Sequence, residues 1–238
     1  MHTKIGKRTL CTILIVLVAI PILFFVFTAI WGVKQYYLTS LIFVGLVFLP
    51  FILRFEGKKT SARELVLLAT MTALAVAGRV AFAWLPQCKP VCAIVILTGV
   101  ALSPEAGFLT GASAALVSNF FFGQGPWTPW QMLGFGLVGF LGGLLFQGRE
   151  IKRMPLLLYG FFSTLLLYGL LLDTASLLMF PSLEISWKAL LVTYGAGFFA
   201  NLVHAVSTVL FFIVLQKPIL RKLERVKIKY GLTEVDIL

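Results

Sequence analysis

Residues 119–132 read NFFFGQGPWTPWQM and lie between two long apolar segments. Gly123-Gln124-Gly125-Pro126 and Thr128-Pro129 cannot continue a helix, because proline lacks a backbone donor and clashes with the preceding turn. A loop therefore joins two membrane-length helices here. Its three phenylalanines, two tryptophans and two glutamines make it stiff, aromatic and polar. Asn119 ends the preceding helix and points toward it. Such a loop, held at a membrane surface, is a candidate binding site.

The rest of the chain supplies the membrane helices. Of 238 residues, 60% are hydrophobic and only 12% are charged, and mean hydropathy is +1.00. Soluble domains carry about 25% charged residues. Long apolar runs suit helices that satisfy their own backbone in lipid. They lack the in/out alternation of a transmembrane barrel. Eight spans are expected, at 10–31, 37–53, 64–85, 91–102, 106–122, 130–146, 155–178 and 188–216. The fourth is short because Pro90 and Pro104 bracket it. It fits a helix that is buried by its neighbours or does not cross fully.

Charge sets the orientation. Basic clusters precede the first span, separate the second from the third, follow the sixth and close the chain, and hold 16 of the 20 Lys and Arg. Eight spans put all four clusters on one side, and the positive-inside rule then places both termini in the cytoplasm. The aromatic loop faces outward. The net charge of +11 is thus a membrane signal and gives no reason to expect a nucleic-acid partner. Three units follow: an N-terminal hairpin with a basic linker (1–60), a six-helix membrane domain (61–216) and a basic tail (217–238). The first run is too long for a signal-peptide core and is read as a retained span. The tail is either an amphipathic helix on the inner leaflet or a helix end held by its lysines.

Polar residues inside spans are costly and hence suggestive. Arg79 and Asp173 lie near the outer ends of their spans, where they either pair with each other or contact a ligand. Asn201 and His204 share one face of the last span, for bonding across helices or for lining a cavity floor. Ala69, Ala73 and Ala77 form a small-residue face that admits close approach of another helix. Glycines at 107, 111, 136, 139 and 143 read as internal packing. Cys88 and Cys92 lack the further ligands of a metal site. No zinc motif, nucleophile elbow or carboxylate cluster appears, so no catalytic residues are assigned.

From about Ser61 onward the chain resembles the substrate-binding S component of energy-coupling factor (ECF) transporters. The resemblance rests on six spans with cytoplasmic ends, the Ala69-x3-Ala73-x3-Ala77 face, and the segment LSPEAGFLTGASAALVSNFFFGQGPWTPWQMLGFGLVGFLGGLLF at 102–146. It implies an S-component-like bundle in the bacterial plasma membrane that captures a vitamin at its outer face and is not itself an enzyme. It implies two kinds of partner, a membrane scaffold (T) subunit contacted by Ala69, Ala73 and Ala77, and two ATPases that consume the ATP. The chain itself then needs no cofactor and no metal. The 10–53 hairpin departs from the six-helix pattern.

Within this group the loop most resembles cobalamin or corrinoid S components. Trp84, Trp127 and Trp130 offer planes to a large flat ligand, with Asn119, Gln124 and Gln131 as polar contacts and Arg79 and Asp173 in support. A smaller vitamin or vitamin precursor is the alternative ligand. An intramembrane enzyme acting on lipid is the alternative class, and it requires Asp173 and His204 to meet in one cavity.

Overall fold

The computed structural model describes residues 62–149, 152–179 and 186–230, together with isolated positions between 18 and 45. The expected hairpin at 10–53, and with it the count of eight spans, lies largely outside the described residues. Six helices follow one another: α1 (Ala62–Ala81), α2 (Val91–Ala101), α3 (Pro104–Phe122), α4 (Thr128–Phe146), α5 (Arg153–Met179) and α6 (Trp187–Tyr230). No strand occurs among the described residues. Four of the helices, α1, α4, α5 and α6, are long and apolar enough to cross a bilayer.

Helix α2 explains the short fourth run. Its 11 residues rise only about 16 Å, roughly half a hydrocarbon core. Every residue from Val91 to Val100 is buried, so its neighbours shield it from lipid. Pro90 precedes its first turn, and a sharp corner follows it. There Ser103 Oγ accepts from Ala106 N at 3.1 Å, and Pro104 opens α3. A serine cap followed by proline at the first helical position is a strong helix start.

Glycines let α2, α3 and α4 touch backbone to backbone. A Cβ on Gly107 would lie 2.6 Å from Gly139 O, and one on Gly143 would lie 2.6 Å from Pro104 Cα. Small-residue interfaces of this kind replace the hydrophobic drive that is missing between helices in lipid. Phe135 and Phe140 fill the remaining space.

Two features depart from the sequence expectation. Helix α5 contains a π turn, Ser163–Tyr168, within a run that reads as uninterrupted apolar helix. Such a turn takes up one extra residue and rotates the face presented beyond it. Thr164, inside the turn, donates its hydroxyl to Thr208 Oγ1 of α6 at 3.3 Å. Helix α6 also runs past the expected span end at Gln216, which favours the helix-end reading of the tail over a separate surface helix. Helix α6 runs 44 residues with Pro218 inside it, about 66 Å of helix. Ile219 and Leu223 are buried, which ties the extension to the bundle. Lys227 Nζ donates to Ala101 O at 3.0 Å, and Arg63 donates to Tyr230 O at 3.1 Å. The tail is therefore a continuation of the last helix, packed across the start of α1 and the α2–α3 corner.

Candidate functional site

The end of the bundle opposite the basic tail carries the polar residues. Here α1 ends, α2 and α4 begin, and α5 meets α6. Arg79 is only 7% exposed. Its guanidinium donates to Ser118 Oγ, to Asn119 Oδ1 at 3.0 Å and to Gln131 Oε1 at 3.4 Å. It also lies 4.9 Å from the Phe122 ring centroid and 5.7 Å from that of Phe135. A buried cation needs such a set of acceptors and ring faces, because desolvation otherwise makes its burial too costly.

The aromatic loop is knitted to this network. Asn119 Nδ2 donates to Thr128 Oγ1 at 3.0 Å and to Gln131 Oε1 at 2.9 Å. Thr128 Oγ1 donates to Gln124 Oε1 at 2.9 Å, and Gln124 Nε2 donates to Leu116 O at 2.8 Å. Gly123, with φ of 95°, makes the turn out of α3 in a conformation that side-chain-bearing residues resist.

A cavity of about 340 Å³ opens beside the network. Its wall includes Arg79 of α1, Gln87 and Lys89 of the α1–α2 loop, Gln131 and Phe135 of α4, Tyr168 and Asp173 of α5, and Asn201 and His204 of α6. Phe135 and Tyr168 stack with centroids 4.5 Å apart and planes 13° from parallel. His204 presents its ring edge-on to both. Asp173 Oδ2 accepts from Asn201 Nδ2 at 2.7 Å. Lys89 lies 4.8 Å from the Phe122 centroid. Burial, reinforced by the nearby Arg79 charge, holds its ammonium below the ordinary lysine range.

Of the residues singled out in the sequence, Arg79, Gln131, Asp173, Asn201 and His204 come together on this wall. Arg79 and Asp173 share the cavity but bond to different partners, so they do not form an ion pair. Asn119 is buried behind the wall and holds Gln131. Gln124, Trp127 and Trp130 lie outside the lining. Gln124 is committed to the loop's own bonds, Trp127 is 41% exposed beside Gly125, and Trp130 is buried in the core. Trp84 is largely exposed. Ala69, Ala73 and Ala77 are all exposed. With Leu109, Ser113, Val117 and Phe121 of α3 they line an open apolar groove of about 660 Å³.

Sequence reasoning missed Gln87, Lys89, Phe135 and Tyr168. Gln87 adopts a left-handed φ of 57°, uncommon for a side-chain-bearing residue. Lys89 carried a signal, as the one basic residue of the short loop between the third and fourth runs. Tyr168 closes the π turn and lies on the wall.

A family model for the ECF-type riboflavin transporter S component matches residues 59–221. The chain belongs to that family. The match covers α1 to α5 and most of α6, including every residue of the cavity wall. Comparison with curated proteins and with solved structures gave no match. The S component is a multi-pass plasma-membrane protein, the vitamin-binding subunit of a transporter, and it associates with a T scaffold and ATPase subunits. It is not an enzyme. Asp173 and His204 do meet in one cavity, as a lipid-acting enzyme would require. Their contacts point elsewhere, with His204 Nε2 3.7 Å from Cys92 Sγ and Asp173 bonded to Asn201.

Proposed function

We propose that this S component captures riboflavin, or a vitamin of closely similar size and shape, in the cavity between Arg79 and Asp173. The observation that carries this reading is the cavity itself. Its volume of about 340 Å³ lies near the lower end of the roughly 300–1,000 Å³ typical of small-molecule sites. Phe135 and Tyr168, stacked on each other and largely buried, line the cavity together with polar groups that fix orientation. A tricyclic flavin is of the size such a site takes and would find aromatic neighbours there. The corrinoid preference drawn from the loop has no support here, since a corrin macrocycle with its axial groups is far bulkier than the space. The family match to riboflavin S components favours the same, smaller ligand.

The basic-poor end of the bundle faces outward in this reading, by the positive-inside rule, and both termini are cytoplasmic. All six helices then make up the membrane domain, with α2 as a buried partial crossing and the 10–53 hairpin added before it. Asn119 supports Gln131 and Arg79 at the ligand. Gln124, Trp127 and Trp130 shape the loop above. The alanine groove receives the scaffold, because exposed alanines leave a smooth surface for a sliding helix. ATP is consumed by the partner subunits, and this chain takes no cofactor. The test is purification from cells grown with riboflavin, followed by mass spectrometry of bound small molecules. A flavin should be recovered. Recovery of a corrinoid would restore the larger-ligand reading.

A further inference from the structure

We infer that Asp173 reads the polyol chain of the flavin, and that its carboxyl makes the site prefer the hydroxyl-bearing vitamin over the phosphorylated form. The inference rests on the flavin reading above. The cavity wall carries two chemically different sets of polar groups. Arg79 and Lys89 offer cationic donors, and Asp173, bonded to Asn201 and to neither of them, offers an acceptor, with the stacked Phe135 and Tyr168 on the same wall.

The pyrimidine edge of an isoalloxazine ring carries two carbonyl acceptors and suits the cationic groups. The hydroxyls of the polyol are the molecule's main remaining donors. Only one oxygen of Asp173 is used by the protein, since Oδ2 accepts from Asn201 while Oδ1 takes no hydrogen bond from the described residues. A carboxylate on a cavity wall with one oxygen free of such a bond calls for a donor.

The backbone makes room for this carboxyl. Both of its oxygens lie against Gly197, where an added Cβ would meet Oδ1 and come within 2.6 Å of Oδ2. Gly169 likewise accommodates Asn201, where a Cβ would be 2.7 Å from Cγ. Any side chain at 197 would push the acceptor off its position. A phosphate at the end of the polyol would meet a like charge there, which is repulsive in a partly desolvated site.

The test is equilibrium binding of three flavins to the purified full-length chain and to Asp173→Asn. The three are riboflavin, lumiflavin (a methyl in place of the polyol) and the 5′-phosphate of riboflavin. The substitution keeps the shape and leaves an amide oxygen for Asn201. Riboflavin affinity should fall about tenfold or more, as for loss of a hydrogen bond to a charged group. Lumiflavin affinity should not change, and the gap between riboflavin and its phosphate should narrow. Gly197→Ala should reproduce the riboflavin loss. Equal loss of riboflavin and lumiflavin in both variants would overturn the assignment of Asp173 while leaving the flavin reading intact. Failure of the wild-type chain to bind any of the three would overturn both.

Discussion

Arg79 Nη1 lies 3.0 Å from Asn119 Oδ1 and joins the end of α1 to the end of α3, directly beneath the aromatic loop. Through Asn119 the same contact reaches Thr128 and Gln131 at the start of α4. One buried guanidinium thus fixes three helix ends around the cavity.

Arg79→Met should cost both binding and stability. It leaves Asn119 Oδ1 short of a donor in a buried setting, at about 1–3 kcal/mol, while Gln131 Oε1 keeps its bond from Asn119 Nδ2. The expected result is a lower apparent Tm in detergent and loss of the upward Tm shift that riboflavin gives the wild type. An unchanged shift would show that Arg79 only holds the bundle together.

Ala73→Leu should separate capture from transport. It projects a branched side chain into the groove shared by α1 and α3 and touches nothing in the cavity. Ligand binding by the isolated chain should match wild type, while co-purification with the T scaffold and ATPases should drop severalfold. Retained assembly with full uptake would move the docking surface elsewhere.

Gly107→Ala tests the packing of α3 on α4. The new Cβ meets backbone atoms of Gly139 and Gly99, and neither can turn away. Overpacking of this kind costs about 1–3 kcal/mol. Thermal unfolding in detergent should shift down accordingly, with residual binding at low temperature.

Lys89 gives a pH signature. Its folded pKa is depressed by burial and by Arg79, so between that value and the ordinary lysine value the unfolded chain binds more protons than the folded one. Stability from this group therefore rises as pH climbs through the folded pKa, and the penalty for holding the charge is complete below it. Lys89→Met should flatten that alkaline rise in a Tm-against-pH profile. Parallel profiles for the two proteins would mean that Lys89 is solvated.

The helical bundle was largely legible. The 91–102 and 130–146 runs end within two residues of α2 and α4, because Pro90, Pro104 and the Gly-Pro loop break the helix by backbone chemistry alone. The glycine contacts were legible too, since small residues in apolar runs have few other uses. Both readings of the tail kept it helical, and the structure matches the helix end, since buried Ile219 and Leu223 carry α6 past Pro218. The candidate site was legible only in part. Arg79 and Asp173 stood out as polar groups near outer ends, Gln131 as part of the aromatic loop, and Asn201 and His204 as one polar face of the last span. The tryptophans drew attention by size, yet the ring that meets Tyr168 is Phe135, an ordinary residue in an apolar run. No local pattern reveals a π turn in α5, so Tyr168 could be placed only by tertiary packing against α4 and α6.

The most direct measurement is titration of the purified chain in detergent with riboflavin, followed by flavin fluorescence, with a corrinoid as competitor. The account predicts saturation at one flavin per chain, with no displacement by the corrinoid. A well-folded chain that ignores riboflavin and binds the corrinoid would contradict it.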